Sequence, residues 1–199
     1  MVELHKKGLP QPVRNAFERY HRSTWYGGAK FKRSETPLSF EGFLRIRVQD
    51  KKQNRTDTFI PPPRYQRASL SPFGRATRRC LACPSEMKPT MCFLKDSWHK
   101  ASLRTVCEAD IYRTLNKERV KHVASMRLEG DVRGMETQTQ DWVKLSPKSY
   151  RLPCTMVCHR IVLDTVARDL STFSWCKVLL SCIADAVEGV FYPFFSPQF

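Results

Sequence analysis

A lysine on an otherwise apolar strand face constrains the fold of this chain more than any other feature. In residues 90–95, period-two alternation places Cys92 and Leu94 on one face and Met91, Phe93 and Lys95 on the other. An ammonium in that setting is unusual unless an acidic partner or a ligand meets it. Downstream, Ser102 offers a cap for a helix running to about Lys121, with Leu103, Val106, Cys107, Ile111 and Leu115 near the i, i+4 ladder. Glu108 borders that stripe beside Ile111, Tyr112 and Leu115. A sheet covered by a helix follows, an α+β arrangement.

The flanking segments supply further elements. Val13, Phe17 and Tyr20 stand at helical spacing over residues 13–22, behind Pro10 and Pro12. Residues 40–48 alternate, with Leu44, Ile46 and Val48 on one side, as in a half-buried strand. Residues 50–57 read as a charged turn or loop, and Pro61, Pro62 and Pro63 as a stiff extended connector. Strands are expected into Gly74 and over residues 78–83. A weaker one belongs to the polar stretch 130–144, and the strongest to residues 158–166, rich in Ile161, Val162, Leu163 and Val166. Residues 171–172 begin a short helix, and residues 177–188 a second through Leu180, Ile183, Ala184 and Val187, which Gly189 is expected to end. The aromatic residues 190–199 have no period of their own. Apolar surface near Leu179, Leu180, Ile183 and Val187 is expected to be poorly covered.

With 199 residues, 41% of them hydrophobic and 27% charged, the chain can bury one moderate core. No stretch approaches the ~18 apolar residues of a membrane span, and the N-terminus lacks the apolar run of a secretory signal, so an intracellular protein, cytoplasmic or nuclear, is expected. The net charge of +15 is concentrated at the front: residues 1–80 carry 18 Lys and Arg against 6 Asp and Glu. Such an excess suits a solvated, partly disordered lead segment, or attraction to an acidic partner. The eight cysteines read as reduced thiols. A zinc site built from Cys80, Cys83, Cys154, Cys158 and His159 is disfavoured, because i and i+3 on a strand point to opposite faces.

Three runs carry a more specific signal. These are Phe73-Gly74-Arg75-Ala76-Thr77, Leu94-Lys95-Asp96-Ser97-Trp98 and Arg160-Ile161-Val162-Leu163-Asp164-Thr165-Val166-Ala167-Arg168-Asp169-Leu170-Ser171-Thr172-Phe173. In that order, with Glu108 between the second and third, they resemble the fungal-type protein kinase-like family over roughly residues 64–188. The resemblance implies a protein kinase-like small lobe: a twisted antiparallel sheet of about five strands with one main helix, plus the first helices of an incomplete large lobe. It divides the chain into a basic lead segment (1–63) with a short helix and one strand, a small lobe and hinge (64–170), the start of a large lobe (171–189) and an aromatic tail unlike the family (190–199).

By the same resemblance ATP is the ligand. Lys95 would contact the α and β phosphates, with Glu108 anchoring it by a charge-assisted hydrogen bond. Leu163 would wall the back of the adenine pocket, Asp164 and Val166 would lie in the hinge, and Gly74 would let the turn approach phosphate. Ala76 stands where ordinary kinases carry a second glycine. A kinase also needs a catalytic loop of the His-Arg-Asp type and a metal-binding Asp-Phe-Gly. Here only His21 and His159 precede an arginine, Ser23 and Ile161 follow where the aspartate belongs, and no aspartate precedes Phe-Gly. No magnesium site is encoded. The expected function is that of a truncated, catalytically silent member of a family whose activity is ATP-dependent phosphoryl transfer to protein, with weak ATP binding at most. Two alternatives stand beside it: a basic nucleic-acid-binding module using residues 1–80 with Tyr20, Trp25, Tyr26 and Phe31 as stacking groups, and a regulatory module docking on another protein through the incomplete lobe or the aromatic tail.

Overall fold

A computed structural model describes residues 2–4, 9–25, 44–61, 77–85, 90–101, 105–138, 154–167, 173 and 175–195. Seven strands form one antiparallel sheet: β1 (Val2–Leu4), β2 (Leu44–Asp50), β3 (Arg55–Ile60), β4 (Arg78–Pro84), β5 (Cys92–Lys100), β6 (Met126–Glu136) and β7 (Met156–Leu163). Among the described residues three helices accompany them, α1 (Gln11–Trp25), α2 (Glu108–Lys117) and α3 (Cys176–Phe195). The spatial order is β1-β2-β3-β4-β5-β7-β6. The architecture is α+β, and no helix among the described residues is long and apolar enough to cross a membrane.

The lead segment, expected to hold one strand, supplies three (β1 to β3), and the described part of residues 64–170 supplies four, against about five expected. The stretch read as a loop over residues 50–57 is in fact a tight hairpin, with β3 beginning at Arg55 and Asp57 paired to Val48. Its polar run hid it from a hydrophobicity pattern. The turn is built by Asp50, fully buried, whose carboxylate accepts hydrogen bonds from the backbone N–H of Lys52 and Gln53, both at 2.9 Å. Asn54 closes it at φ 48°, a left-handed conformation that asparagine tolerates. The proposed domain boundary near residue 64 lies outside the described residues, and strands on both sides of it share one core.

That core forms because the sheet curls. Its central cluster joins Ile46 and Val48 of β2, Phe59 of β3, Cys80 and Ala82 of β4, Cys92 and Leu94 of β5, Leu128 of β6 and Val162 of β7. Strands at opposite ends of the order therefore meet. The Glu129 N–H reaches the Asp50 carboxylate at 3.4 Å, and a Cβ at Gly130 would lie 2.0 Å from the Gln49 carbonyl oxygen. Glycine is required there so that β6 can close onto β2. Inside this layer Arg160 and Asp96 form a buried two-point ion pair, Nε to Oδ1 at 2.6 Å and NH2 to Oδ2 at 2.7 Å.

Alternation sends the neighbouring residues to the outer face. Phe93, Ile161 and Leu163 pack there with Ala109 and Tyr112 of α2. A third cluster, Leu9, Val13, Ala16 and Phe17 with Ile60 and Cys83, seats α1 at the β3–β4 end. Cys80 and Cys83 thus fall in different clusters, as strand geometry requires of i and i+3.

Several boundaries differ from expectation. The helix expected from Ser102 begins at Glu108, because Cys107 is held extended (φ −71°, ψ 142°); Val106, expected on its apolar stripe, precedes the helix and is exposed. Ser102 lies outside the described residues. It ends at Lys117 as Arg119 turns left-handed at φ 53°. The strand expected from Gly130 starts earlier, at Met126. Gly189 does not end α3, which runs on to Phe195 through the segment read as a tail. A Cβ at Gly189 would meet the Lys121 carbonyl oxygen at 3.3 Å, so this glycine serves close packing against the α2–β6 loop. The exposed apolar surface expected on α3 is present at Leu180, Ile183 and Val187, while Leu179 is half-buried.

Candidate functional site

The polar groups of the molecule converge on the outer sheet face beneath the start of α2. Lys95, between Arg79 on β4 and Ile161 on β7, projects toward the helix, and its Nζ meets Glu108 Oε1 at 2.5 Å. Glu108 is the first residue of α2, where a carboxylate also complements the positive helix end. The lysine side chain is 26% exposed and the glutamate 36%. As an ion pair alone this contributes about 0 to 1 kcal/mol, so its stabilising value is small. Its chemical value lies in an ammonium held at one position and still open to solvent.

The hinge residues expected from the resemblance follow β7. Leu163 is buried against Ala109 and Ile161. The Asp164 backbone N–H donates to the Ser125 carbonyl at 2.9 Å, and its carboxylate receives Arg127 Nε at 2.5 Å. Val166 is half-buried in irregular chain just beyond. Gly74 lies outside the described residues. Thus Lys95, Glu108 and Leu163 are brought together at one sheet–helix interface, with Asp164 and Val166 at its edge.

Beside this pair lies a network that the sequence reading missed. His159 is buried on β7, opposite Asp131 of β6. Its Nδ1 is 2.8 Å from Asp131 Oδ1, and its Nε2 is 3.0 Å from Glu129 Oε2, though not aligned as a hydrogen bond. His99 of β5 shares the same Asp131 oxygen through Nε2 at 3.2 Å, and the two imidazoles meet edge to face with centroids 5.3 Å apart. Arg113 of α2 forms a close pair with Glu129 and bonds Asp110 at 2.6 Å; Lys52, from the β2–β3 turn, reaches Asp110 at 2.5 Å. Burial alone would lower the His159 pKa, but its contacts to Cys107, Glu129 and Asp131 outweigh that and raise it to about 10. Glu129 is held down to about 2, first by His159, against its own burial, and by Arg113. At neutral pH the network thus contains a buried imidazolium flanked by two carboxylates.

No sequence motif marks this network. Glu129 and Asp131 are two apart on one strand, His99 and His159 sit on two others, and only the antiparallel register joins them. A third feature is a groove of about 780 Å³ between α2 and α3, lined by Ile111, Tyr112, Leu115, Val123 and Ala186, with Glu108 at its wall.

No protein-family model matches this chain, and neither a curated protein nor a solved structure matches it. The functional reading therefore rests on geometry and on the motifs themselves.

Proposed function

We propose that the chain is a kinase-like small lobe that binds the phosphates of ATP weakly at Lys95 and does not transfer them. The observation that carries this reading is the Lys95–Glu108 pair, formed between a central strand and the first residue of the covering helix. Glu108 fixes the ammonium in one orientation, and the part-exposed ammonium supplies a charge-assisted donor to a phosphate oxygen. Beyond the buried Leu163, the Asp164 carbonyl, whose own N–H is taken by Ser125, and the Val166 backbone would meet a base edge. Phosphoryl transfer demands in addition a base for the incoming hydroxyl and carboxylates for magnesium. The motifs that supply them are not in this sequence.

Equilibrium dialysis of the full chain against ATP tests the proposal. Saturable binding is expected, and Lys95→Met weakens it about tenfold or more, in line with a lost hydrogen bond to a charged group. Lys52→Met, which alters a cation outside the pair, leaves it unchanged. Binding insensitive to Lys95→Met, or absent at millimolar ATP, overturns the reading. Turnover of γ-labelled ATP with magnesium overturns the claim of silence.

A second reading draws on α3, where Val178, Leu180, Ile183, Val187 and Phe191 are each at least 44% exposed on one helix. Such a surface suits docking on another protein. Pull-down of one defined kinase domain by the wild-type chain and not by Ile183→Glu would favour it. The basic excess of residues 1–80 keeps nucleic acid as a lesser alternative, tested by a salt-dependent gel shift.

A further inference from the structure

We propose that His99, Cys107 and His159 bind a zinc-class divalent cation that pins the start of α2 to the sheet. One donor atom from each of the three lies within 4.8 Å of the others. They come from three separate elements: β5, the extended residue that caps α2, and β7. Two imidazoles and a thiol make the borderline-soft donor set that zinc selects over calcium or magnesium.

The surroundings resemble those of a metal-binding histidine. Asp131 Oδ1 holds His159 Nδ1 at 2.8 Å, a carboxylate–histidine arrangement that fixes ring orientation, and the cation takes Nε2 in exchange for its proton, which is released to solvent. That Nε2 is buried and lacks a well-formed hydrogen bond. Glu129 Oε2 lies 3.0 Å from it, a carboxylate beside the three clustered donors, and the fourth position is left to solvent. The His99 Nδ1 rests 3.1 Å from the Lys100 carbonyl oxygen, and its Nε2 faces Asp131 Oδ1 at 3.2 Å, a contact the ring exchanges for the cation. Closing the triad from 4.8 Å to ligand spacing requires a shift of about 1 Å. Cys107 can supply it, since it stands outside the helix in irregular chain.

A cation there would fix the backbone immediately before Glu108, and so the carboxylate that orients Lys95. The inference does not depend on nucleotide binding, and its test involves none. The full-length chain, stripped with a chelator under reducing conditions, is titrated with cobalt(II) alone and then zinc(II) alone. One equivalent of cobalt is expected to give tetrahedral d–d bands and a thiolate-to-metal charge-transfer band, both erased by zinc. Cys107→Ser removes the charge-transfer band, and Asp131→Asn weakens affinity about tenfold or more. Replacing the exposed Cys154, Cys176 and Cys182 by serine together leaves the spectrum intact. Circular dichroism certifies that each variant is folded. Absence of the bands at one equivalent, their persistence in folded Cys107→Ser, or their loss in the exposed-cysteine variant overturns the assignment.

Discussion

Single residues divide by the side of the sheet on which alternation places them. Lys95 and Asp96 are consecutive, yet the first meets α2 at a part-exposed surface and the second is sealed in the core with Arg160. Two ion pairs of similar length therefore have very different consequences. Removing Glu108 deprives Lys95 of a partner that water largely replaces, whereas removing Asp96 takes both of its carboxylate oxygens from a buried guanidinium. Asp96→Ala is expected to destabilise by about 3 to 5 kcal/mol, the range for breaking a buried pair. Glu108→Ala should cost no more than about 1 kcal/mol. Urea unfolding of both variants measures the contrast, and equal losses would show that the Asp96 pair is not sealed.

At the scale of elements, the closure of β6 onto β2 decides whether the sheet has one core or two open faces. It depends on a backbone approach that tolerates no side chain at Gly130. Gly130→Ala is expected to cost about 3 kcal/mol, the upper part of the usual overpacking range, because the atom it meets is backbone and cannot rotate away. Gly134→Ala is a useful contrast: nothing lies within 4 Å of its Cβ, and its φ of +75° leaves conformational strain as the expected penalty. Thermal midpoints of the two variants separate steric closure from backbone strain. The helices show the same dependence on approach. The register of α2 is set by the extended Cys107 and the left-handed Arg119, and α3 passes through Gly189 because the α2–β6 loop presses against it.

For the molecule as a whole, the buried imidazolium gives stability a defined pH window. His159 is raised from 6.5 to about 10, so its contribution to the metal-free chain is complete below pH 6.5 and is lost as pH climbs through about 10. Glu129 is lowered from 4.5 to about 2, so its contribution is complete above pH 4.5 and is lost as pH falls through about 2. Stability of the metal-free chain is therefore expected to be greatest between about pH 4.5 and 6.5 and to decline on either side. Denaturant midpoints across the pH range check this, with His159→Gln flattening the alkaline limb; an unchanged alkaline limb in that variant would place the titration elsewhere.

Local pattern alone determined the α+β class, the strand with Lys95 facing away from Leu94, a helix carrying Glu108 though not its start, and the exposed apolar side of α3. Each of these follows from side-chain periodicity within one segment, which the chain carries wherever it folds. The pairing of Lys95 with Glu108 was expected from the resemblance and not from any pattern within one segment, and the structure forms it. The hairpin of β2 and β3, the buried Asp96–Arg160 pair and the His99–Cys107–His159 cluster were not legible. Their partners are separated by up to 64 residues and become neighbours only through antiparallel register and the curl of the sheet. Polar residues paired at long range carry no period of their own, so tertiary structure alone selects which charges are buried together.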